Sequence, residues 1–123
     1  MVPNTQKIQM LLQSLVTNSP EIEGASLVTL DGLPLASTLP GHMDEERVSA
    51  MAATMLSIGE RIGEELQKGN VGRIFVESDQ GYCMLTSCGD DAVLLVMATT
   101  AAKQGLLQLA IKRSVADLKL ALG

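Results

Sequence analysis

Apolar positions recur every three or four residues between residues 44 and 68, which is the period of one face of an α-helix. The apolar set is Val48, Met51, Ala52, Met55, Leu56, Ile58, Ile62 and Leu66. On a helical wheel these positions span roughly 160°, whereas a helix that covers only its own core needs about 100°. The opposite face carries the small residues Ala50, Ala53, Thr54 and Ser57. The pattern predicts either a generously apolar core helix or a helix that also packs against a second molecule.

Capping signals mark both ends of this central helix. Asp44 is a suitable N-cap, and the two glutamates after it place negative charge where the helix dipole favours it. At the other end, a lysine is followed by Gly69, the residue preferred just beyond a helix. The same spacing predicts a helix over residues 5–19, which ends before Pro20, and a last helix from about residue 100 to residue 122.

Five segments have the composition of β-strands. Residues 24–37 predict a hairpin with Asp31-Gly32 as a two-residue turn, a pair that type I′ geometry favours. Pro34 cannot donate to a neighbouring strand, so its strand is expected at a sheet edge. Three more strands, joined by short turns, predict an antiparallel meander over residues 73–78, 82–88 and 92–98. Residues 92–98 are apolar on both faces, which indicates a central strand covered on both sides.

These elements predict a single α+β domain over residues 1–123, in the order α-β-β-α-β-β-β-α. The expected architecture is a sandwich built on a five-stranded antiparallel sheet. The long middle helix covers one face of the sheet, and the two terminal helices cover the other. This profilin-like arrangement gives both faces of the central strand an apolar neighbour.

The meander leaves strand 73–78 at the second edge of the predicted sheet. This strand lacks the proline or inward lysine that usually prevents edge strands from pairing with other molecules. Together with the wide apolar helix, it predicts that two copies pair across a two-fold axis. The alternative is that a loop or terminus of the chain covers the edge. The expected dimer interface is Met51, Thr54, Met55, Ile58, Arg73, Ile74, Phe75 and Val76.

Charge and composition narrow the classes of partner. The net charge is −5 and no basic run occurs, which argues against nucleic acid and anionic membranes as partners. The N-terminal residues lack the pattern of a signal peptide, and the longest apolar run is too short to span a bilayer. A soluble cytoplasmic protein is therefore expected.

Residues suited to catalysis are few. His42 is the only histidine, and it lies in a loop rich in glycine and proline. It is therefore poorly placed to act as the general base that a catalytic nucleophile needs. Cys83 and Cys88 are five residues apart, which in a strand directs them to opposite faces and predicts two reduced thiols. No phosphate-binding loop of the Walker type occurs. We expect no enzymatic activity, no cofactor and no metal.

Three stretches together resemble the Roadblock/LC7 family, including its gliding-motility-protein-B-like bacterial members. They are the hairpin EGASLVTLDGLPLAS at residues 23–37, the helix segment MAATMLSIGER at residues 51–61 and KQGL at residues 103–106. The resemblance covers nearly the whole chain, and the stretches occur in the family's order. It implies a homodimer, or a heterodimer with a related chain, in which edge strands pair and the middle helices lie side by side.

The resemblance also implies a platform that binds a small Ras-like GTPase and modulates its nucleotide cycle or localisation. By wheel position, the implied partner surface is Arg47, Ala50, Ala53, Thr54, Ser57, Arg61 and Glu64. Two alternatives stay open. One is a structural subunit of a larger complex. The other is a small-molecule sensor of profilin-like or PAS-like architecture, which would need a cavity above roughly 300 Å³ between helix and sheet.

Overall fold

The computed structural model describes residues 3–123, and its elements follow the predicted order. They are α1 (Thr5–Asn18), β1 (Ile22–Thr29), β2 (Pro34–Thr38), α2 (Glu45–Glu65), β3 (Arg73–Ser78), β4 (Gly81–Ser87), β5 (Ala92–Ala98) and α3 (Gln104–Leu122). The strands form one antiparallel sheet in the order β2-β1-β5-β4-β3. The predicted α+β fold is confirmed, with β5 in the centre and the Pro34 strand at one edge.

The central strand β5 joins the two layers of the core. Leu94 and Val96 point to the face covered by α1 and α3, whereas Val93 and Leu95 point to the face covered by α2. All four side chains are buried, which explains why the strand shows no polar alternation. Within residues 3–123, no helix has the length and apolar character needed to cross a membrane.

The hairpin between β1 and β2 differs from the prediction. The loop holds three residues between bonded partners, because Thr29 N donates to Leu33 O (2.8 Å) and Gly32 N donates to Thr29 O (3.0 Å). Gly32 has a positive φ of 90°, whereas Asp31 does not, so the two-residue type I′ turn is wrong. The Thr29 hydroxyl accepts a hydrogen bond from Leu33 N (3.1 Å) and holds the wider loop closed.

The ends of α2 confirm one capping prediction and correct the other. The Asp44 carboxylate accepts from the backbone N–H of Glu46 at 3.0 Å, as expected for an N-cap. The helix ends at Glu65, earlier than predicted, and the next left-handed residue is Gln67, with a φ of 58°. Lys68 N then folds back to donate to Gly63 O at 2.7 Å. A side chain at Gly63 would overlap the Gly69 carbonyl oxygen. The chain can therefore fold back over the end of α2 only because residue 63 is glycine.

The last helix begins at Gln104, later than the predicted residue 100. The residues before it form a turn in which Ala102 N donates to Thr99 O at 3.1 Å. The Thr99 hydroxyl also accepts from Ala101 N at 3.3 Å. A threonine that bonds to the nearby backbone competes with the helix, which explains the later start.

Candidate functional site

A row of exposed apolar side chains runs along one flank of α2. We call it the apolar stripe, and it consists of Met51, Met55, Ile58, Ile62 and Leu66. These residues expose 58%, 40%, 48%, 53% and 64% of their surface, respectively. The first four are spaced by four, three and four residues, which is the spacing of an apolar seam between two packed helices. The stripe is therefore suited to packing against another helix.

The stripe stays exposed because α2 rests on its own sheet through different residues. The buried positions are Ser49, Ala52, Leu56 and Gly63, which lie about 100° around the helix from the stripe. Most of them are small, so the helix approaches the sheet closely without using its larger apolar side chains. The wide apolar arc of the sequence therefore serves two surfaces, and Leu56 belongs to the core surface.

The apolar stripe faces the β3 side of the sheet. Gly59 lies between the buried residues and the stripe, and a Cβ there would lie 2.7 Å from Cδ1 of Ile74 in β3. The helix itself lies over β1, β2 and β5. On the same face, Ile74, Val76 and Cys83 of the outer strands are only half-buried. The stripe and the outer strands thus form one continuous, partly apolar surface.

The outer side of β3 presents unpaired backbone groups. Ser87 N donates to Gly72 O at 3.0 Å, which makes these two residues a hydrogen-bonded pair. Since such pairs alternate along antiparallel strands, Ile74 and Val76 also bond inward, to β4. The N–H and C=O groups of the odd-numbered residues therefore point outward from the sheet. In the described part of the chain, no strand pairs with that side of β3.

The odd-numbered side chains of β3 lie on the opposite face of the sheet from α2. Arg73 is exposed, and its Nη1 donates to Oε1 of Gln108 in α3 at 3.2 Å. Phe75 packs against Tyr82 with ring centroids 5.3 Å apart. The guanidinium group is thus held over the terminal-helix face. It leaves the backbone edge of β3 free for pairing.

The structure gathers most of the predicted dimer residues on one side of the molecule. Met51, Met55 and Ile58 lie on the same flank as Ile74 and Val76, whereas Arg73 and Phe75 lie beneath them on the other face of the edge strand. Thr54 lies further out, and its hydroxyl donates to Ala50 O at 2.8 Å. The predicted set omitted Ile62 and Leu66, although their spacing from Ile58 was visible in the sequence.

The predicted partner residues divide into two groups. Arg47, Thr54, Ser57, Arg61 and Glu64 are exposed on the outer side of α2. The other two, Ala50 and Ala53, lie close to the hairpin of this chain, because a Cβ built at Gly32 would lie 3.3 Å from Ala50 Cα, although Ala50 itself is exposed. The small-residue face of the helix is therefore explained in part by the close approach of the chain's own loop.

A groove of about 620 Å³ lies beside this outer face of α2, between the helix and the sheet end. Ala53 and Ser57 form its helical wall, and Leu30 at the hairpin tip forms another. Glu60 and Asp90 give its rim a negative charge. The sequence pattern did not predict this groove, since it forms only where the hairpin, α2 and the β4–β5 turn meet.

The two cysteines lie on opposite faces of the sheet, as their spacing predicts. Cys83 belongs to the α2 side and Cys88 to the side of the terminal helices, and both are free thiols. Burial raises the pKa of Cys83, and it raises the pKa of Cys88 to about 11, against a smaller lowering by Lys119. Residues 3–123 contain no group of three or more His, Cys, Asp or Glu side chains that could hold a metal ion.

A family model of the Roadblock/LC7 domain matches residues 8–98. The chain belongs to the Roadblock/LC7 family. An uncharacterized protein of Methanocaldococcus jannaschii, MJ1340, is 32% identical over 98 residues, which cover 80% of this chain and 85% of that protein. The family model covers most of α1, all of α2 and all five strands, so the resemblance of the chain to the family is confirmed; the stretch at residues 103–106 lies beyond the matched residues.

Two solved structures that share this fold are a Roadblock/LC7 domain and an MglB protein. A Roadblock/LC7 domain from Streptomyces avermitilis superposes with a TM-score of 0.86 at 23% identity, covering 93% of this chain and 96% of the other. MglB from Myxococcus xanthus superposes with a TM-score of 0.88 at 19% identity, covering 94% and 86%. Because the sequence identities to these structures are low, the superpositions show only that the fold is shared.

Proposed function

We propose that this Roadblock/LC7 chain forms a dimer and serves as a non-enzymatic cytoplasmic platform for a small Ras-like GTPase. The observation that carries the proposal is the apolar stripe of α2 beside the unpaired edge of β3. Soluble proteins rarely leave such a surface uncovered, and an unguarded edge strand is a template for another strand. A second copy of the chain, or a related chain, offers both an apolar stripe to cover the first stripe and an edge strand to pair with β3.

The edge strands can pair in a specific register. Their outward groups belong to Arg73, Phe75 and Glu77, so an axis through Phe75 places Phe75 opposite its copy as a hydrogen-bonded pair. Arg73 then lies opposite Glu77 of the second copy, twice per dimer. Opposite charges directly across a strand pair stabilise it by roughly 0.2–1 kcal/mol each. A shift of the axis by one residue would lose both charge pairs, so we favour this register.

The apolar stripes then meet on the α2 face. A two-fold axis between Met55 and Ile58 runs the two helices antiparallel, with Met51 facing Ile62 of the second copy. The same axis brings Arg47 close to Glu65 of the second copy, whereas a parallel pair would juxtapose like charges. Beneath the helices, Ile74 would lie opposite Val76 of the second copy. In the proposed dimer, one two-fold axis therefore relates both the paired helices and the paired strands.

The partner surface is the outer side of the paired helices. After the stripes are covered, the groups that remain exposed there are polar, including Arg47, Arg61 and Glu64. A polar and charged surface suits a partner that binds and dissociates, since transient interfaces are less apolar than permanent ones. The proposed surface keeps the full predicted set of seven residues, with Ala50 and Ala53 at its border with the hairpin.

The proposal is tested with a small Ras-like GTPase encoded in the same genome, titrated separately in its GDP-bound and GTP-analogue-bound forms. We expect saturable binding that differs between the two forms and that weakens about tenfold in Arg61→Ala, because a charged hydrogen bond is lost. Arg113→Ala removes an exposed arginine of α3 and serves as the control. Binding that is unchanged in Arg61→Ala, or absent for every such GTPase of the genome, would contradict the proposal.

A further inference from the structure

A second recess lies on the opposite face of the sheet from α2. It is a cleft of about 550 Å³ between α3 and the outer strands β3 and β4. The volume is within the range of pockets that hold small ligands. Gly72 and Gly105 stand at its margin, and a Cβ at either position would meet no atom within 4 Å. The cleft is therefore open at both glycines.

The walls of the cleft are apolar and its rim is polar. Met84 of β4 and Ile111 and Val115 of α3 are buried side chains that line it, and Leu109 is a half-exposed wall. Lys112 stands at the rim and supplies a positive charge. Arg73 of β3 also lines the cleft, so two cations stand beside the apolar recess. Such a recess is suited to a molecule with an aliphatic body and an anionic end.

Two neutral side chains that line the cleft, Gln108 and Thr86, have N–H or O–H groups that can donate to such an anion. The Gln108 side-chain oxygen accepts the hydrogen bond from Arg73, so its amide nitrogen keeps two N–H groups free to donate. Thr86 also lines the cleft, and its Oγ1 is buried without a hydrogen-bond partner among residues 3–123. Buried hydroxyls are nearly always bonded, so an unsatisfied one in a cleft calls for an explanation. We assign the Thr86 hydroxyl as a donor to a bound oxygen.

We propose that this cleft binds a small amphiphilic monocarboxylate, with the carboxylate at Lys112, Gln108 and Thr86 and the aliphatic chain against Met84 and Val115. We place the single negative charge of a carboxylate at Lys112, because the guanidinium group of the other lining cation, Arg73, already donates to Gln108. The cleft lies on the other face of the sheet from the apolar stripe. The proposal does not rest on the GTPase platform, although Arg73 both lines the cleft and belongs to the proposed strand pair.

The test titrates the full chain with decanoate, below the concentration at which it forms micelles, and records heat and backbone amide resonances. We expect saturable binding of one decanoate per chain, with shifts of the Gly72, Thr86 and Gly105 amides. Decanol, which lacks the charge, and acetate, which lacks the chain, should each bind at least about tenfold more weakly. Equal binding of decanol, or heat that never saturates, would overturn the proposal.

Three variants and one control variant locate the site. Lys112→Gln should weaken decanoate about tenfold, and Arg113→Gln, on the same helix but outside the cleft, should leave it unchanged. Gly105→Leu should abolish binding without disturbing the fold, since the position is helical and open. Thr86→Val should weaken binding and leave the melting temperature equal or higher, because the lost hydroxyl has no partner in the free protein. Wild-type affinity in both Lys112→Gln and Gly105→Leu would overturn the assignment.

Discussion

Ile58→Lys perturbs the centre of the apolar stripe. Ile58 exposes 48% of its surface in one chain, and it does not contribute to the buried residues by which α2 rests on its own sheet. The substitution should therefore leave the fold of the chain intact. In the proposed dimer, the same residue lies beside the symmetry axis and faces Met55 of the second copy. The change acts twice, once from each subunit.

The expected magnitude follows from the exposed half of the side chain. Full burial of an isoleucine contributes roughly 1.5–3 kcal/mol, so covering the remaining half contributes about 1 kcal/mol per copy. Two lysines near the axis also repel each other by about 1 kcal/mol if they stay hydrated. Their combined cost is about 3 kcal/mol, which corresponds to a dimer dissociation constant raised about 100-fold.

Sedimentation velocity over a dilution series measures this constant. Leu120→Lys is the matched control, because Leu120 exposes 84% of its surface on α3, away from α2 and β3. We expect the control to have the dimer dissociation constant of the wild type. For Ile58→Lys we expect a dissociation constant about 100-fold higher. Circular dichroism checks that both variants keep their helices. A folded Ile58→Lys protein with the wild-type dissociation constant would refute the role of the stripe.

Three further predictions concern the strand register, the end of α2 and a buried thiol. Arg73→Glu should weaken the dimer about tenfold in sedimentation, and adding Glu77→Arg should restore it; no recovery in the double variant would exclude the proposed register. Gly63→Ala should lower the free energy of unfolding in urea by about 1–3 kcal/mol despite its better helix propensity, because the new Cβ overlaps a backbone carbonyl. In Gly59→Ala the new Cβ approaches only the movable end of the Ile74 side chain, so the free energy of unfolding should change by less than about 1 kcal/mol. Equal losses of stability in Gly63→Ala and Gly59→Ala would contradict this explanation. Burial raises the pKa of Cys88 from 9.0 to about 11, so the contribution of this thiol to the free energy of unfolding should be fully present below pH 9. That contribution should be lost as the pH rises through 11. Cys88→Ala should remove this part of the pH dependence of stability.

The sequence predicted those parts of the fold that depend on local pattern. The uniformly apolar residues of β5 identified the central strand, because only a strand covered on both faces lacks polar positions. Asp44 identified the start of α2 because its carboxylate bonds within the next three residues. The position of Pro34 identified an edge by the hydrogen bond that it cannot donate. Each of these signals lies within one element or its immediate neighbours.

The features that the sequence could not predict depend on contacts between distant residues. The end of α2 is set where Lys68 folds back onto Gly63, and neither residue alone marks that point. The division of the apolar arc into a core side and an exposed stripe depends on how the helix is rotated on the sheet. The cleft beside Thr86 forms only when α3 and β4 are brought together. Periodicity gives the width of an apolar face, but not which part of it remains uncovered.

The molar mass of the chain in solution tests the central claim most directly. Light scattering after size exclusion, repeated over a range of concentrations, reports whether the apolar stripe and the β3 edge are covered by a second copy. A dimer predicts about 26 kDa, twice the 13.0 kDa of one chain. A mass of 13.0 kDa at every concentration would contradict self-association through these surfaces.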